Sequence, residues 1–347
     1  MSPLSLPIPP REATKYMLSA LTTRRMRDVL EKRFGLKGGK KKTLDAIGKE
    51  YKITRERVRQ IEAEALRQVR KPEALREVAP LMEALKEHMR AHGGVMPERQ
   101  LFATLADERS HPHVAFLLDV GNSFHVLPED ESHTRRWTMD KNAAEATEKI
   151  MTATVRALEE KNACVSENEL DEMIAHHARE ALGGTPDESV RRVWLSTSRV
   201  IRKNPYGEYG LSHWPFVTPS GVKDKAYVAL VKTGHPLHFK DVAGAINTAG
   251  WSNKRAHPQT VHNELIKDSR FVLVGRGLYA LREWGYEPGP VRDVLVSIFR
   301  EKNRPLEKEE IITSILERRL VKTPTILLNL QNRSLFKRTE DGKYTLV

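Results

Sequence analysis

The sequence predicts a mainly α-helical fold, a helix-turn-helix near the N-terminus followed by tandem winged-helix modules with small β-wings. Three observations carry this expectation. Apolar residues recur at steps of three and four through most of the chain. After about residue 76 one order repeats: an apolar helix, a second helix, a third helix, then a short β-rich tail. The chain also has 347 residues with only 6% aromatics and 30% charged residues, which suits several small cores better than one large one.

The helix-turn-helix is read from Lys42 to Lys71. Leu44, Ile47 and Tyr51 lie on one face of a short first helix, and Lys52-Ile53-Thr54 interrupts it. Thr54 is a good N-cap for the next helix, and Arg57 stands where a capping box would need Glu, so a simple cap is expected. Val58, Ile61, Ala65, Leu66 and Val69 then form an apolar stripe. The other face carries Arg55, Glu56, Arg59, Gln60 and Glu64. Side chains in the first two turns of such a second helix can reach base edges in a DNA major groove. Arg pairs with guanine, Glu accepts from cytosine and Gln pairs with adenine. Arg55, Glu56, Arg59 and Gln60 are therefore the candidate base readers. Lys42, Thr54, Arg57, Arg67 and Arg70 are candidate phosphate contacts, which supply affinity rather than sequence choice. An ordinary salt-bridged surface helix is the alternative. Agreement of turn, cap, apolar phase and side-chain type weighs against it.

Charge divides the chain in the same way. Residues 1–72 hold 19 Lys/Arg against 8 Asp/Glu, a net +11. Residues 73–222 come to −7, and the rest is mildly basic. A strongly basic first module suits a phosphate binder, and KGGKKK at 37–42 is a flexible basic loop favoured for phosphate contact. The acidic middle argues against extended DNA contact there and favours protein contact or spacing.

The repeated segments are placed at 76–140, 143–218, 222–286 and 288–347, after a leader at 1–10 expected to be disordered and a head at 11–75. Trp137, Trp214, Trp284 and Tyr344 fall near the ends of the four tails. In the third segment Gly275 and Gly277 permit a tight hairpin. Phe271 and Leu273 alternate on its first strand, as Tyr279 and Leu281 do on its second, so one face of the ribbon is expected to pack on the helices.

Two resemblances follow from these residues. LTTRRMRDVLEKRFGL and TLDAIGKEYKITRERVRQIEAEALRQVRKPE resemble region 4 of the sigma-70 family of bacterial RNA polymerase sigma factors, over about residues 11–73. The resemblance implies a four-helix region that reads the minus-35 element of double-stranded promoter DNA, with Arg55, Glu56 and Gln60 by position as base readers. It also implies docking on the flap of the polymerase beta subunit through an apolar surface, here around Val29, Leu30, Phe34 and Leu36. Region 2, which melts the minus-10 element, has no counterpart in the sequence, so a complete initiation factor is not expected. KAYVALVKTGHPLHFKDVAGAINTAGW and HPQTVHNELIKDSRFVLVGRGLYALREW are similar to the HARE-HTH family, which includes the N-terminal domain of the polymerase delta subunit. That resemblance leaves the ligand open between DNA and protein. Lys254, Arg255, Lys267 and Arg276 are candidate wing contacts, with His257 and Arg270 nearby.

Other constellations read as structural. His176-His177 with Glu172 and Glu180 has some metal-ligand spacing but lacks HExxH, and adjacent histidines are expected to face different ways. No metal or cofactor is expected. No phosphate loop or nucleophile elbow occurs in the sequence, and no catalytic set is found. The single Cys164 excludes an intramolecular disulfide and fits a reducing cytoplasm. No apolar run is long enough to cross a membrane. The sequence thus points to a cytoplasmic, nucleoid-associated bacterial transcription protein that binds and does not catalyse. Two rivals stay open: a polymerase-docking accessory, delta-like or sigma-appropriating, that reads no DNA, and a component of a restriction enzyme. The oligomeric state is not legible.

Overall fold

The computed structural model describes residues 5–347, which divide into two compact units, 1–202 and 203–347. Helices dominate, with four small antiparallel sheets among the described residues.

The first unit opens with α1 (Pro10–Ser19), α2 (Arg24–Phe34), α3 (Leu44–Tyr51), α4 (Arg55–Val69) and α5 (Pro72–Arg76). Thr23, Thr43 and Thr54 cap α2, α3 and α4, each hydroxyl accepting from the backbone N–H three residues on. Helix α3 ends at Lys52 in the left-handed region, with φ at 54°. The turn into α4 is tight enough that a Cβ on Gly48 would stand 2.8 Å from the Ile53 carbonyl oxygen, so this position needs glycine. Val29, Ile47 and Val58 form a small core under the turn, with Leu44, Tyr51, Ile53 and Ile61 around it. The simple cap expected at Thr54 is present, 3.1 Å from the Arg57 N–H. Thr54→Ala should cost about 1 kcal/mol of stability, read as a shift in the unfolding midpoint, because that N–H then has no partner in the helix.

Next come α6 (Ala79–Ala91), β1 (Val95–Pro97), α7 (Glu98–Leu105), α8 (His111–Val120), β2 (His125–Leu127) and β3 (Arg136–Thr138). The strands form an antiparallel sheet in the order β1-β3-β2, with Met96 and Val126 both opposite Trp137. This order of helices and strands is that of a winged helix. Its core is continuous with the head. Met17, Leu30, Leu36, Ala65 and Val69 belong to the same buried cluster as Leu81, Leu85, Leu101, Phe116 and Trp137.

Two expectations are corrected here. Val29 and Leu30 are fully buried, Leu36 is buried, and the half-buried Phe34 meets Phe116 edge to face with ring centroids 5.1 Å apart. The face expected to be free for a polymerase contact is interior, because apolar groups of α1 and α8 cover it. The leader also differs: Leu6 and Ile8 pack against this core, and α1 starts at Pro10, while residues 1–4 lie outside the described residues.

The unit continues with α9 (Lys141–Lys161), α10 (Glu167–Leu182) and α11 (Glu188–Thr197). The α9–α10 hairpin buries Ile150, Leu158, Leu170 and Ile174. Arg136 is buried between Glu148 of α9 and Asp130, so its charge is paired. His88 is half-buried beside Thr104, and His113 is buried at the start of α8. Burial pushes both imidazoles below their usual range, helped by His92 at the first and by Arg11 and Lys15 at the second, where the Leu36 backbone opposes it. Both are neutral when folded, whereas the unfolded chain takes up protons near pH 6.5. Their contribution is therefore complete above that pH and falls as pH drops below it. Melting temperatures between pH 7.5 and 5 should decline, and His113→Gln should flatten the decline.

Strands β4 (Ile201–Lys203) and β5 (Tyr209–Leu211) lie where the two units meet in sequence. The second unit then has α12 (Val222–Thr233), β6 (Leu237–His238), α13 (Phe239–Ala249), α14 (Pro258–Lys267), β7 (Phe271–Gly275) and β8 (Leu278–Leu281). These make one winged helix with sheet order β6-β8-β7. The hairpin turns at Gly277, with φ at 71°, and an irregularity falls between Leu273 and Gly275. Phe271, Tyr279 and Leu281 pack on the helices as expected. Leu273 does not: it is 47% exposed. Val272, Val274 and Ala280 instead bury the opposite face of the ribbon with Trp284 and Tyr286, so both faces are covered.

Last are α15 (Val291–Lys302), α16 (Lys308–Arg318), α17 (Thr323–Leu330), β9 (Phe336–Arg338) and β10 (Tyr344–Leu346), around a core of Leu295, Ile298, Phe299, Ile311, Ile326 and Phe336. The buried Arg319 donates to the Leu273 carbonyl at 3.2 Å and to that of Gly289, which ties this module to the preceding winged helix.

Candidate nucleic-acid interface

Arg55, Glu56, Arg59 and Gln60 are all exposed on the first two turns of α4, on the side away from Val58 and Ala65. The apolar stripe fixes this rotation: burying Val58, Ala65 and Val69 turns the polar positions outward. Arg59 closes a two-pronged bond on Glu56, at 2.9 and 2.8 Å, and this holds the Glu56 carboxyl below the usual carboxylate range. Gln60 accepts from Arg57 at 3.1 Å through its carbonyl oxygen, leaving its amide hydrogens available to an acceptor. Among the described residues Arg55 has no side-chain partner, and it stands beside the α4 N-terminus, where backbone N–H groups and the helix dipole favour an anion. Each of the four groups can still offer donors or acceptors to a base pair, since a carboxylate has lone pairs beyond those Arg59 uses.

The candidate phosphate contacts divide. Arg57 is exposed at the entry of α4. Arg67 is exposed but forked on Glu64 at 2.8 and 2.7 Å, and with Gln68 it pulls the Glu64 carboxyl down to about 2. Lys42 is bonded to Glu50, which Lys32 also holds at 2.9 Å, and the two lysines keep Glu50 below its usual range. Arg70 faces the opposite way from that expected. It donates to the Asp119 carbonyl of α8 at 2.8 Å, because the last turn of α4 runs into the shared core. Sequence reading missed Lys40, Lys41 and Lys52 as individual contacts; all three are exposed. Lys52 could have been found from its place in the turn between the two helices.

In the second unit Lys254 and Arg255 are exposed in the loop before α14, Lys267 at its last residue and Arg276 at the wing tip. His257 caps α14, accepting from the Gln259 N–H at 3.2 Å. Arg270 is excluded as a free cation, since Asp268 and Asp224 hold it at 2.7 and 2.8 Å.

The described residues contain one group with metal-ligand potential, and it differs from expectation. His176 and His177 both reach Glu180, at 3.5 and 3.3 Å, instead of diverging. The group is partly exposed on the surface of α10, and the two histidines are already engaged by one carboxylate.

Comparisons with known proteins agree with this geometry. A family description for sigma-70 region 4 matches residues 18–71, and one for the HARE-HTH domain, a restriction endonuclease HTH domain, matches 221–284. RNA polymerase sigma factor SigA1 of Synechococcus elongatus is 53% identical over 62 residues, 18% of this chain and 15% of that protein. SigA of Nostoc sp. is 52% identical over 62 residues, and SigA of Clostridium acetobutylicum 50%, each covered over 16% of its length. The chain thus spans about a sixth of the curated relatives it matches, and carries within it a sigma-70 region 4 segment and a HARE-HTH segment.

Proposed function

We propose that the protein is a sequence-specific DNA-binding transcription protein that recognises a minus-35-like promoter element and acts with, or on, bacterial RNA polymerase during initiation. The observation that carries this reading is the exposed Arg55, Glu56, Arg59 and Gln60 set on the first two turns of α4, in a segment about half identical to sigma factors. The mechanism is binding alone. Helix α4 enters the major groove, Arg57 with Lys40, Lys41 and Lys52 meets phosphates, and the four outward groups select bases. The candidate wing cations Lys254, Arg255, Lys267 and Arg276 add non-specific phosphate contact in the second unit. The place of work is the bacterial cytoplasm, on nucleoid DNA.

Selection of genomic fragments by the purified chain, with and without RNA polymerase, tests this. Enrichment of a minus-35-like motif by the chain alone is expected. Enrichment only with polymerase would support the docking accessory instead, and no enrichment in either condition would refute base reading.

A further inference from the structure

The face of the head opposite its DNA-reading side is not bare. Helix α8 holds the third-helix position in the order α6, β1, α7, α8, β2, β3. Seven of its ten residues are buried, and its sequence, HPHVAFLLDV, contains no lysine or arginine. A helix that is apolar on all sides belongs inside a core and is unsuited to lie on phosphates. On one flank Phe116 meets Phe34 at 5.1 Å, and Arg70 of α4 donates to the Asp119 carbonyl at 2.8 Å. Just before α8, Arg11 of α1 donates to the Arg109 carbonyl at 3.2 Å. On the other flank Leu81, Leu85 and Leu101 complete the same core. The β2–β3 connection of this module carries Glu129, Asp130 and Glu131, whose charge repels a phosphate backbone. The next third helix, α11, behaves alike: Val193 joins that core, and Ser196 donates to Gln100 of α7 at 2.7 Å.

We infer that α8 is the resident helical partner of the head's apolar face. The surface formed by Leu30, Phe34, Leu36, Ala65 and Val69 takes an apolar helix of about three turns, and the chain supplies that helix itself. A helix from another protein competes with one held at high effective concentration by the same chain, and can enter only by opening a packed core. Residues 10–139 therefore act as one cooperative body. Any contact with polymerase is made through other surfaces, and α8 reads no DNA. The choice of polymerase as probe rests on the proposed function; the resident role of α8 does not.

Hydrogen exchange on the full chain, alone and with purified bacterial RNA polymerase core enzyme, tests this. Phe116→Ala should speed amide exchange in α2 and the last two turns of α4 as well as in α6 and α7, by about a hundredfold in each. Acceleration confined to α6–α8, with α2 and α4 unchanged, would overturn the inference. Should Phe116→Ala fail to fold, the milder Phe34→Leu reads the same coupling from the other side, through faster exchange in α8 and α7; unchanged exchange there would likewise overturn it. With polymerase added, α8 is expected to keep its protection. Lost protection in α8 together with gained protection at residues 30–36 would show an external helix taking its place. Failure of the proposed function would look different: no motif would be enriched, while the exchange coupling persisted.

Discussion

Leu30→Ala is expected to destabilise residues 10–139 by about 2–5 kcal/mol. Leu30 is fully buried in α2, within the cluster that joins head and first winged helix. Truncation removes transfer energy and leaves a cavity that packed neighbours fill only in part. The cost should appear as a lower urea midpoint for the transition of the first unit, with the second unit unchanged. Ile266→Ala, at a residue 63% exposed, should stay within about 0.5 kcal/mol and serves as the contrast. A loss below about 1 kcal/mol for Leu30→Ala would show that the head's apolar face does not lie in a packed interior.

Arg55→Ala and Glu56→Ala should each weaken binding to the preferred sequence by about 1–3 kcal/mol, roughly 5- to 150-fold in Kd, and relax base choice at one position. The measurement is fluorescence anisotropy on a panel of duplexes that differ by single base pairs. Glu56 and Arg59 are bonded to one another, so their alanine variants should be non-additive, whereas Arg55 should combine additively with changes far from it. Arg57→Ala should weaken every duplex about equally and reduce the salt dependence, as loss of a phosphate contact does. Equal loss on all sequences for Arg55→Ala would remove it from base reading.

The local features of the head were legible because they depend on near neighbours. The Thr54 cap, the break at Lys52 and the outward phase of Arg55, Glu56, Arg59 and Gln60 all follow from spacing within a dozen residues. The fate of Arg70 was not legible, since its partner lies 49 residues away on α8. Leu273 misled for a related reason. Alternation correctly placed Phe271 against the helices, but an irregularity before Gly275 and a second apolar layer from Trp284 and Tyr286 left Leu273 outside. His176 and His177 were expected to diverge, yet rotamer choice brings both onto Glu180.

By itself the sequence determined the helical class, the helix-turn-helix with its caps and outward side chains, and the two family segments, because hydrophobic period, turn chemistry and side-chain type act over short stretches of chain. Only the tertiary structure decided that the head ends in no surface of its own. An apolar face looks the same in sequence whether water, another protein or a later helix will cover it. Packing chose α8, whose uniformly apolar sides could be buried only between two modules at once.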